Sequence, residues 1–184
     1  MMSRSAVWID AMWCATVWSQ ILSAHTTTTM IEVVHDQAWT ELPSDAAITQ
    51  AIVATLRAVE MPCRSSDQPE LCILLADNPA MQALNSHWRE MDEVTDVLAF
   101  PMQEGRIDPT AGLGDIVVAI PFVKQEAERL HLPFADHLIH LLIHGTLHLL
   151  GFDHAEKNAG TTMRNHECNI MKQLHLHCPW PEKA

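Results

Sequence analysis

The chain has 184 residues, of which 48% are apolar and 18% charged, so it is long enough for one globular domain with a substantial buried core. Its formal net charge of −12 argues against a protein that holds nucleic acid through a broad basic surface, because phosphate affinity comes mainly from Lys and Arg. The sequence contains no tyrosine, which excludes a phenol as catalytic acid or nucleophile.

Residues 1–29 are interpreted as an extension outside the fold. An apolar stretch follows Arg4, as in a signal peptide, but Asp10 interrupts it and no clear cleavage site follows. The stretch is also too short to span a bilayer, so we expect no contact with a membrane. Met30 is the expected start of the structured domain, with a frayed extra helix as the alternative for residues 1–29.

Short strands and helices are predicted to follow one another from residue 31 to residue 174. Apolar runs predict four strands, and a helical apolar period predicts five helices. The predicted strands are 31–35, 71–76, 97–100 and 116–120. The predicted helices are 45–60, 78–88, 121–130, 134–150 and 158–174, and residues 176–184 are predicted to form a loose tail. Because the helix over 134–150 is apolar almost all round, we expect it to be buried, with its histidines facing a cleft.

The cysteines indicate a reducing compartment. They are five in number and form no C-x-x-C pair. This pattern favours reduced thiols in a cytosolic protein over a disulfide framework. The five are Cys14, Cys63, Cys72, Cys168 and Cys178.

The most informative segment is the one from His144 to His154. His144 and His148 are four residues apart and so lie on one face of the predicted helix, and Gly151 is expected to end the helix and turn His154 back toward them. Three neutral imidazoles suit zinc and leave a fourth position for water, as catalytic zinc sites do. The spacing therefore predicts a metal site. A set of packed histidines is the alternative, and the pair formed by His140 and His144 has the same spacing.

The same spacing occurs in the metzincin peptidases, whose signature is H-E-x-x-H-x-x-G-x-x-H. In that signature the glutamate after the first histidine is the general base. Here Gly145 occupies that position, so a peptidase would keep its metal and lose its base.

Four blocks of sequence resemble the YbeY family of bacterial endoribonucleases and ribosomal RNA maturation factors. Residues 144–154 fit the family pattern H-G-x-L-H-L-x-G-[YF]-D-H. The other blocks are 85–101, with Arg89, Asp92 and the run from Thr95 to Pro101, then 113–117, and then Met163 with Glu167. Together the blocks cover roughly residues 30–174 in the family's order.

The resemblance implies an α+β fold in a single domain over residues 30–175. A small mixed four-stranded sheet would pack with about five helices, among them the buried metal-binding helix. It also implies a cytoplasmic endoribonuclease with one Zn²⁺ per chain, acting on single-stranded RNA in small-subunit ribosomal RNA maturation and ribosome quality control. A ribosomal protein or a ribosome-associated GTPase is an implied partner. His144, His148 and His154 match the family's metal ligands.

Arg89 matches the family's conserved arginine. A guanidinium beside a metal can hold a scissile phosphodiester with two hydrogen bonds and offset transition-state charge. The alternative is a surface ion pair with Glu90, Asp92 or Glu93. Ala99 departs from the family's frequent serine, so a hydroxyl contact at that position is absent here.

Three aspartates are further candidates with less defined roles. Asp96 and Asp115 either orient a ligand histidine or serve as capping or strand-end residues. Asp153 is expected to shape the turn or orient an imidazole rather than to bind metal.

Two other functions remain open from the sequence. One is a non-catalytic ribosome-assembly factor with a structural zinc. The other is a metzincin-like zinc hydrolase, which Gly145 argues against.

Overall fold

The computed structural model describes residues 31–61, 70–103, 105, 107, 108, 112–153 and 157–179, without the side chains of residues 157–159. The predicted extension over residues 1–29 lies outside the described residues, and so does the predicted ligand His154. The proposed domain limits at residues 30 and 175 therefore stay a prediction.

The centre of the fold is a mixed four-stranded sheet. Its strands are β1 (Ile31–His35), β2 (Leu71–Ala76), β3 (Val97–Pro101) and β4 (Gly114–Ala119). The spatial order is β1-β2-β4-β3, with β1, β2 and β4 parallel and β3 antiparallel to β4. Every residue of β2 and β4 is buried, which explains why these two central strands have continuous apolar character.

Five helices occur in the described part of the chain, as predicted. They are α1 (Asp45–Ala58), α2 (Asn78–Arg89), α3 (Ile120–Leu130), α4 (Phe134–Leu149) and α5 (Lys157–Gln173). Side-chain caps start the first two, since Ser44 Oγ accepts the backbone N–H of Ala47 and Asp77 Oδ1 accepts that of Ala80. Helix α3 begins at Ile120, which the sequence assigns to the preceding strand, because β4 ends at Ala119 and Pro121 occupies the first helical turn.

The helices cover the two faces of the sheet unequally. Ile73, Leu75, Ile116 and Val118 belong to the cluster that contains buried residues of α1, α4 and α5. Residues at the alternate positions, such as Leu74 and Val117, pack with α2 on the opposite face. The structure confirms the α+β fold and the buried position of α4, which lies between the sheet and α5.

The end of the chain corrects the expectation that all cysteines are reduced. Leu176 N–H donates to Met171 O and His175 has φ +58°, so a left-handed turn closes α5 and reverses the chain. The reversal brings Cys178 to Cys168, with which it forms a disulfide. The sequence pattern missed this pair because the contact depends on the turn and not on C-x-x-C spacing.

The first residues of the predicted loose tail contact the core. Leu176 packs against the main hydrophobic cluster, and the backbone N–H of His177 donates to Asp136 Oδ2 at 2.9 Å. Among the described cysteines, Cys72 is a free buried thiol, and burial together with Asp115 and Glu32 raises its pKa to about 12. No helix within the described ranges is long and apolar enough to cross a membrane.

Candidate functional site

The end of α4 has the glycine turn that the sequence predicts. Gly151 has φ +82°, its N–H donates to His148 O at 3.0 Å, and Phe152 N–H donates to Leu147 O at 3.0 Å. These two bonds define a Schellman motif, in which a glycine takes the left-handed position after the helix. The turn places the segment that leads to His154 immediately after the histidine-bearing end of the helix.

The imidazole rings of His144 and His148 approach each other closely. Their Nε2 atoms are 3.1 Å apart, and their rings are nearly perpendicular with centroids separated by 4.6 Å. In a tetrahedral zinc site with Zn–N distances near 2.0–2.1 Å, two ligand nitrogens are about 3.3–3.4 Å apart. The pair therefore fits two ligand positions of such a site. Within the ranges described, no group of three His, Cys, Asp or Glu side chains is arranged to hold a metal, and His154 lies outside those ranges.

A buried carboxylate holds the first of these histidines from behind. Glu167 of α5 is 1% exposed, and its Oε1 lies 2.7 Å from His144 Nδ1. Its Oε2 lies 3.3 Å from His140 Nε2. Because a carboxylate only accepts hydrogen bonds, His144 presents Nδ1–H to Glu167 and turns its Nε2 lone pair toward His148. This is the arrangement by which carboxylates orient metal-binding histidines in proteins.

Glu167 is a candidate site residue to which the sequence analysis assigned no role. The family resemblance includes it, but nothing in its local sequence shows that it faces His144, which is 23 positions away. The local sequence offers one indication that Glu167 is buried. It shares a helical face with Met163 and Ile170, both of which are buried.

The two histidines open into a cleft of about 650 Å³ between α4 and the edge strand β3. One wall carries the histidine stripe of α4, as predicted, and the other carries Val97, Ala99 and Pro101 of β3. Ala99, where the family often has serine, thus presents a methyl group to this cleft. Arg89 and Asp96 also line the cleft, and so does Pro179 from the chain end.

Arg89 is the last residue of α2 and is exposed at this cleft. The helix ends there because Glu90 adopts the left-handed conformation, with φ 59°. Asn85 Nδ2 donates to Glu93 O at 2.8 Å and so holds the loop that follows. The alternative ion pair with an acidic neighbour is not observed, since Arg89 makes no ion pair with any residue that the structure describes.

The three candidate aspartates lie in different surroundings. Asp96 lines the cleft, but its Oδ1 accepts Val97 N–H at 2.8 Å and the Thr95 hydroxyl at 3.1 Å, as a residue at a strand start does. Asp115 pairs in register with Cys72 and lies on the α2 face of the sheet, away from α4. Both positions are compatible with the strand-end alternative, and the roles of Asp96 and Asp115 stay predictions. Asp153 is exposed two residues after Gly151, and its role stays a prediction.

Gly145 has a packing reason that separates this site from a metzincin site. A Cβ at this position would lie 3.2 Å from Ile116 Cδ1 and 3.3 Å from Ile116 Cγ2. A glutamate side chain would start from this crowded contact with the sheet, so a general base at residue 145 does not fit without displacement of Ile116.

Few cations remain available near the cleft. Lys124 pairs with Glu41, and Arg129 pairs with Glu126. Arg64 lies outside the described residues. Among the described residues that line the cleft, Arg89 is the single cation. The described lining therefore gives the cleft no broad positive field.

Known proteins share much of this sequence. Residues 33–175 match the family described as Endoribonuclease YbeY. A protein of that name from Rhizobium etli is 44% identical over 115 residues, which cover 61% of this chain and 67% of the relative. Another from Sinorhizobium fredii is 38% identical over 139 residues, with 74% and 80% covered. A third from Rhizobium johnstonii is 36% identical over 157 residues, with 80% and 90% covered.

A solved structure also shares the fold. The solution structure of TM1509 from Thermotoga maritima matches with a TM-score of 0.53 at 22% identity, and the match covers 79% of this chain and 92% of that one. At this identity the likeness supports the fold alone. The sequence matches carry the assignment further, and the chain belongs to the YbeY endoribonuclease family.

Proposed function

We propose that this chain is a zinc-dependent endoribonuclease that cleaves single-stranded RNA. The observation that carries the proposal is the 3.1 Å approach of His144 Nε2 to His148 Nε2 at the wall of the cleft. His154 is proposed as the third ligand, because the Gly151 turn ends α4 three residues before it. A zinc ion bound there would supply a Lewis acid for the phosphodiester and would lower the pKa of a bound water to about 7.

Arg89 is proposed to hold the scissile phosphodiester. Its guanidinium can donate two parallel hydrogen bonds to phosphate oxygens and offset the charge that develops in the transition state. No acidic partner among the described residues occupies it, and its side chain reaches the cleft that the histidines line. Glu167 is a positioning residue in this proposal, since it acts through the orientation of His144.

The proposed substrate in the cell is the ribosomal RNA of the small subunit, during maturation and quality control in the cytoplasm. The family name supports the reaction, and the charge of the chain supports a need for a partner. With a net charge of −12 and one cation lining the described cleft, electrostatics supply little affinity for RNA. Docking to a ribosomal protein or a ribosome-associated GTPase would bring the cleft to its substrate.

The ligand set can be tested by metal analysis of purified variants. We expect one zinc per chain in the wild type and none in His144→Ala, His148→Ala or His154→Ala. His140→Ala should keep its zinc, because the Nε2 atom of His140 faces Glu167 Oε2 at 3.3 Å. If His140→Ala lost its zinc and His154→Ala kept it, the proposed ligand set would be wrong.

The reaction can be tested with a single-stranded fragment of small-subunit ribosomal RNA. The zinc-loaded wild type should cut it, and the chelated protein and His148→Ala should not. A zinc-loaded, folded wild type that leaves this RNA intact would favour the non-catalytic assembly factor. The chemical ends of the products identify the nucleophile, since a cyclic phosphate would implicate the 2′-hydroxyl of the RNA.

A further inference from the structure

His137 is a buried polar side chain whose hydrogen-bonding groups are unused in the described structure. It lies in the first turn of α4 and is 7% exposed. Neither of its ring nitrogens has a hydrogen-bond partner among the residues described. A buried polar group without a partner lowers the stability of the fold, and native proteins keep few such groups. The presence of His137 therefore calls for a reason other than packing.

The side chain lines the cleft at the end away from the proposed zinc ligands. His137 and His144 are seven residues apart, so the helical rise separates them by about 10 Å along α4. A nucleotide adjacent to a phosphodiester held at His144 and Arg89 can reach across this distance. His137 thus lies where substrate next to the cleaved bond would pass.

Aliphatic side chains are part of the cleft lining. Leu130, Leu132 and Leu141 line the cleft together with His137. Leu130 is 42% exposed, so its side chain is accessible to a ligand in the cleft. A slot that combines aliphatic side chains with a few polar groups, here His137, His140 and Asp96, suits a planar nucleobase splayed out of a single strand. A phosphate or a metal ion would instead require a cation or further ligands there.

The electrostatic surroundings of His137 favour the neutral ring. Burial lowers its pKa, and the neighbouring His140, stacked at a centroid distance of 6.4 Å, lowers it further, whereas Asp96 and Glu126 act in the opposite direction. A neutral imidazole offers one donor and one acceptor, which is the complement of a nucleobase edge. A neutral ring can bind a nucleobase without a positively charged surface, which agrees with the net negative charge of the chain.

We propose that His137 is a specificity-determining residue that hydrogen-bonds a nucleobase of the RNA next to the cleaved bond. This inference rests on the proposed function. An ordered water on the ring nitrogens, with no part in the reaction, is the competing explanation of the same geometry. The two explanations differ in what removal of the imidazole does to cleavage.

The experiment uses His137→Leu in the full-length, zinc-loaded protein. Leucine fills a similar volume without polar atoms, so the melting temperature should stay the same or rise. Cleavage is measured on single-stranded RNA libraries that carry all four bases at each position around the cut. We expect kcat/KM to fall at least about 10-fold, mainly through KM, and base discrimination to disappear at one position. His137→Gln, which keeps a donor and an acceptor, should recover part of both.

A matched control is His35→Leu. His35 lies on β1, at the opposite edge of the sheet from the cleft, and contacts Asp45. Its cleavage rate and base preference should equal those of the wild type.

Three outcomes would overturn the inference. Unchanged kcat/KM and unchanged base preference in His137→Leu would show that the ring holds only water. A clear drop in its melting temperature, with cleavage lost in proportion to the folded fraction, would show a structural role. A wild type that binds zinc and cuts no library RNA would remove the proposed function and this inference together, which distinguishes that failure from the first two.

Discussion

His144 Nδ1 and Glu167 Oε1 lie 2.7 Å apart across the contact between α4 and α5. The carboxylate is 1% exposed, whereas the histidine is 23% exposed at the cleft. The bond therefore connects the interior of the fold to the candidate site. It sets the tautomer of His144 so that Nε2 carries the lone pair on the cleft side.

Replacement of Glu167 by glutamine should weaken zinc binding while the fold persists. Glutamine keeps the size of the side chain but removes the charge that favours Nδ1–H on His144. The loss of such a carboxylate partner costs roughly 10-fold to 100-fold in metal affinity. Competition with a chromogenic chelator measures it. The control is Glu128→Gln, the same charge change on the exposed surface of α3, which should have no effect. Equal affinity in both variants would show that Glu167 serves packing alone.

Removal of the Arg89 guanidinium should separate catalysis from metal binding. Arg89→Ala should retain zinc and its melting temperature but cut RNA about 30-fold to 1,000-fold more slowly, which corresponds to roughly 2–4 kcal/mol of transition-state stabilisation. Arg89→Lys should recover only part, since an ammonium lacks the planar pair of donors. Arg57→Ala, an exposed arginine of α1, is the control in single-turnover assays. Identical rates for wild type and Arg89→Ala would remove Arg89 from the mechanism.

The elements of this fold are predictable because local rules decide them. Caps at Ser44 and Asp77 start helices, and the position of Gly151 three residues after His148 predicts the turn. The pairing of His144 with His148 follows from helical periodicity alone. These features need no knowledge of how distant segments pack.

Two features that sequence reasoning missed or left open depend on contacts between distant segments, and a third depends on a turn that has no local sequence signal. Glu167 acquires its role only when α5 docks on α4. Asp115 could be assigned to the α2 face only once the register of β4 with β2 was known. The Cys168–Cys178 disulfide depends on a left-handed residue, His175, which is neither glycine nor asparagine and so carries no local turn signal.

Addition of a methyl group at Gly145 should strain the contact between α4 and β4. Gly145→Ala gains about 1 kcal/mol of helix propensity but crowds Ile116, and overpacking of this kind costs about 1–3 kcal/mol. We therefore expect a net loss of up to about 2 kcal/mol in urea unfolding. Ile116→Val removes the Cδ1 atom that lies 3.2 Å from the added Cβ. The double variant should be more stable than the sum of the single effects. Strict additivity would show that the two residues do not share the strain.

Removal of the disulfide should release the chain end from the core. Cys168 and Cys178 are separated by 10 residues, and closure of a loop of this size contributes roughly 3 kcal/mol in the chain-entropy model. Cys178→Ser should lose up to this amount in urea unfolding under oxidising conditions. With excess dithiothreitol the wild type should fall to the stability of the variant. A difference between the two proteins that survives reduction would assign the effect to packing of Cys178 instead.

Acid should destabilise the wild type through His137. Its folded pKa is lowered, chiefly by burial, so between its unfolded value near 6.5 and the lower folded value the unfolded chain binds more protons. The free energy of unfolding therefore falls as the pH drops below about 6.5, with a limiting slope near 1.4 kcal/mol per pH unit for one proton. His137→Leu lacks this proton, so its stability advantage over the wild type should grow from about pH 7 to about pH 5. Urea unfolding of both proteins in chelator, which removes the contribution of metal, measures the difference. A constant difference across this range would show that His137 takes up its proton equally in the folded and unfolded chain.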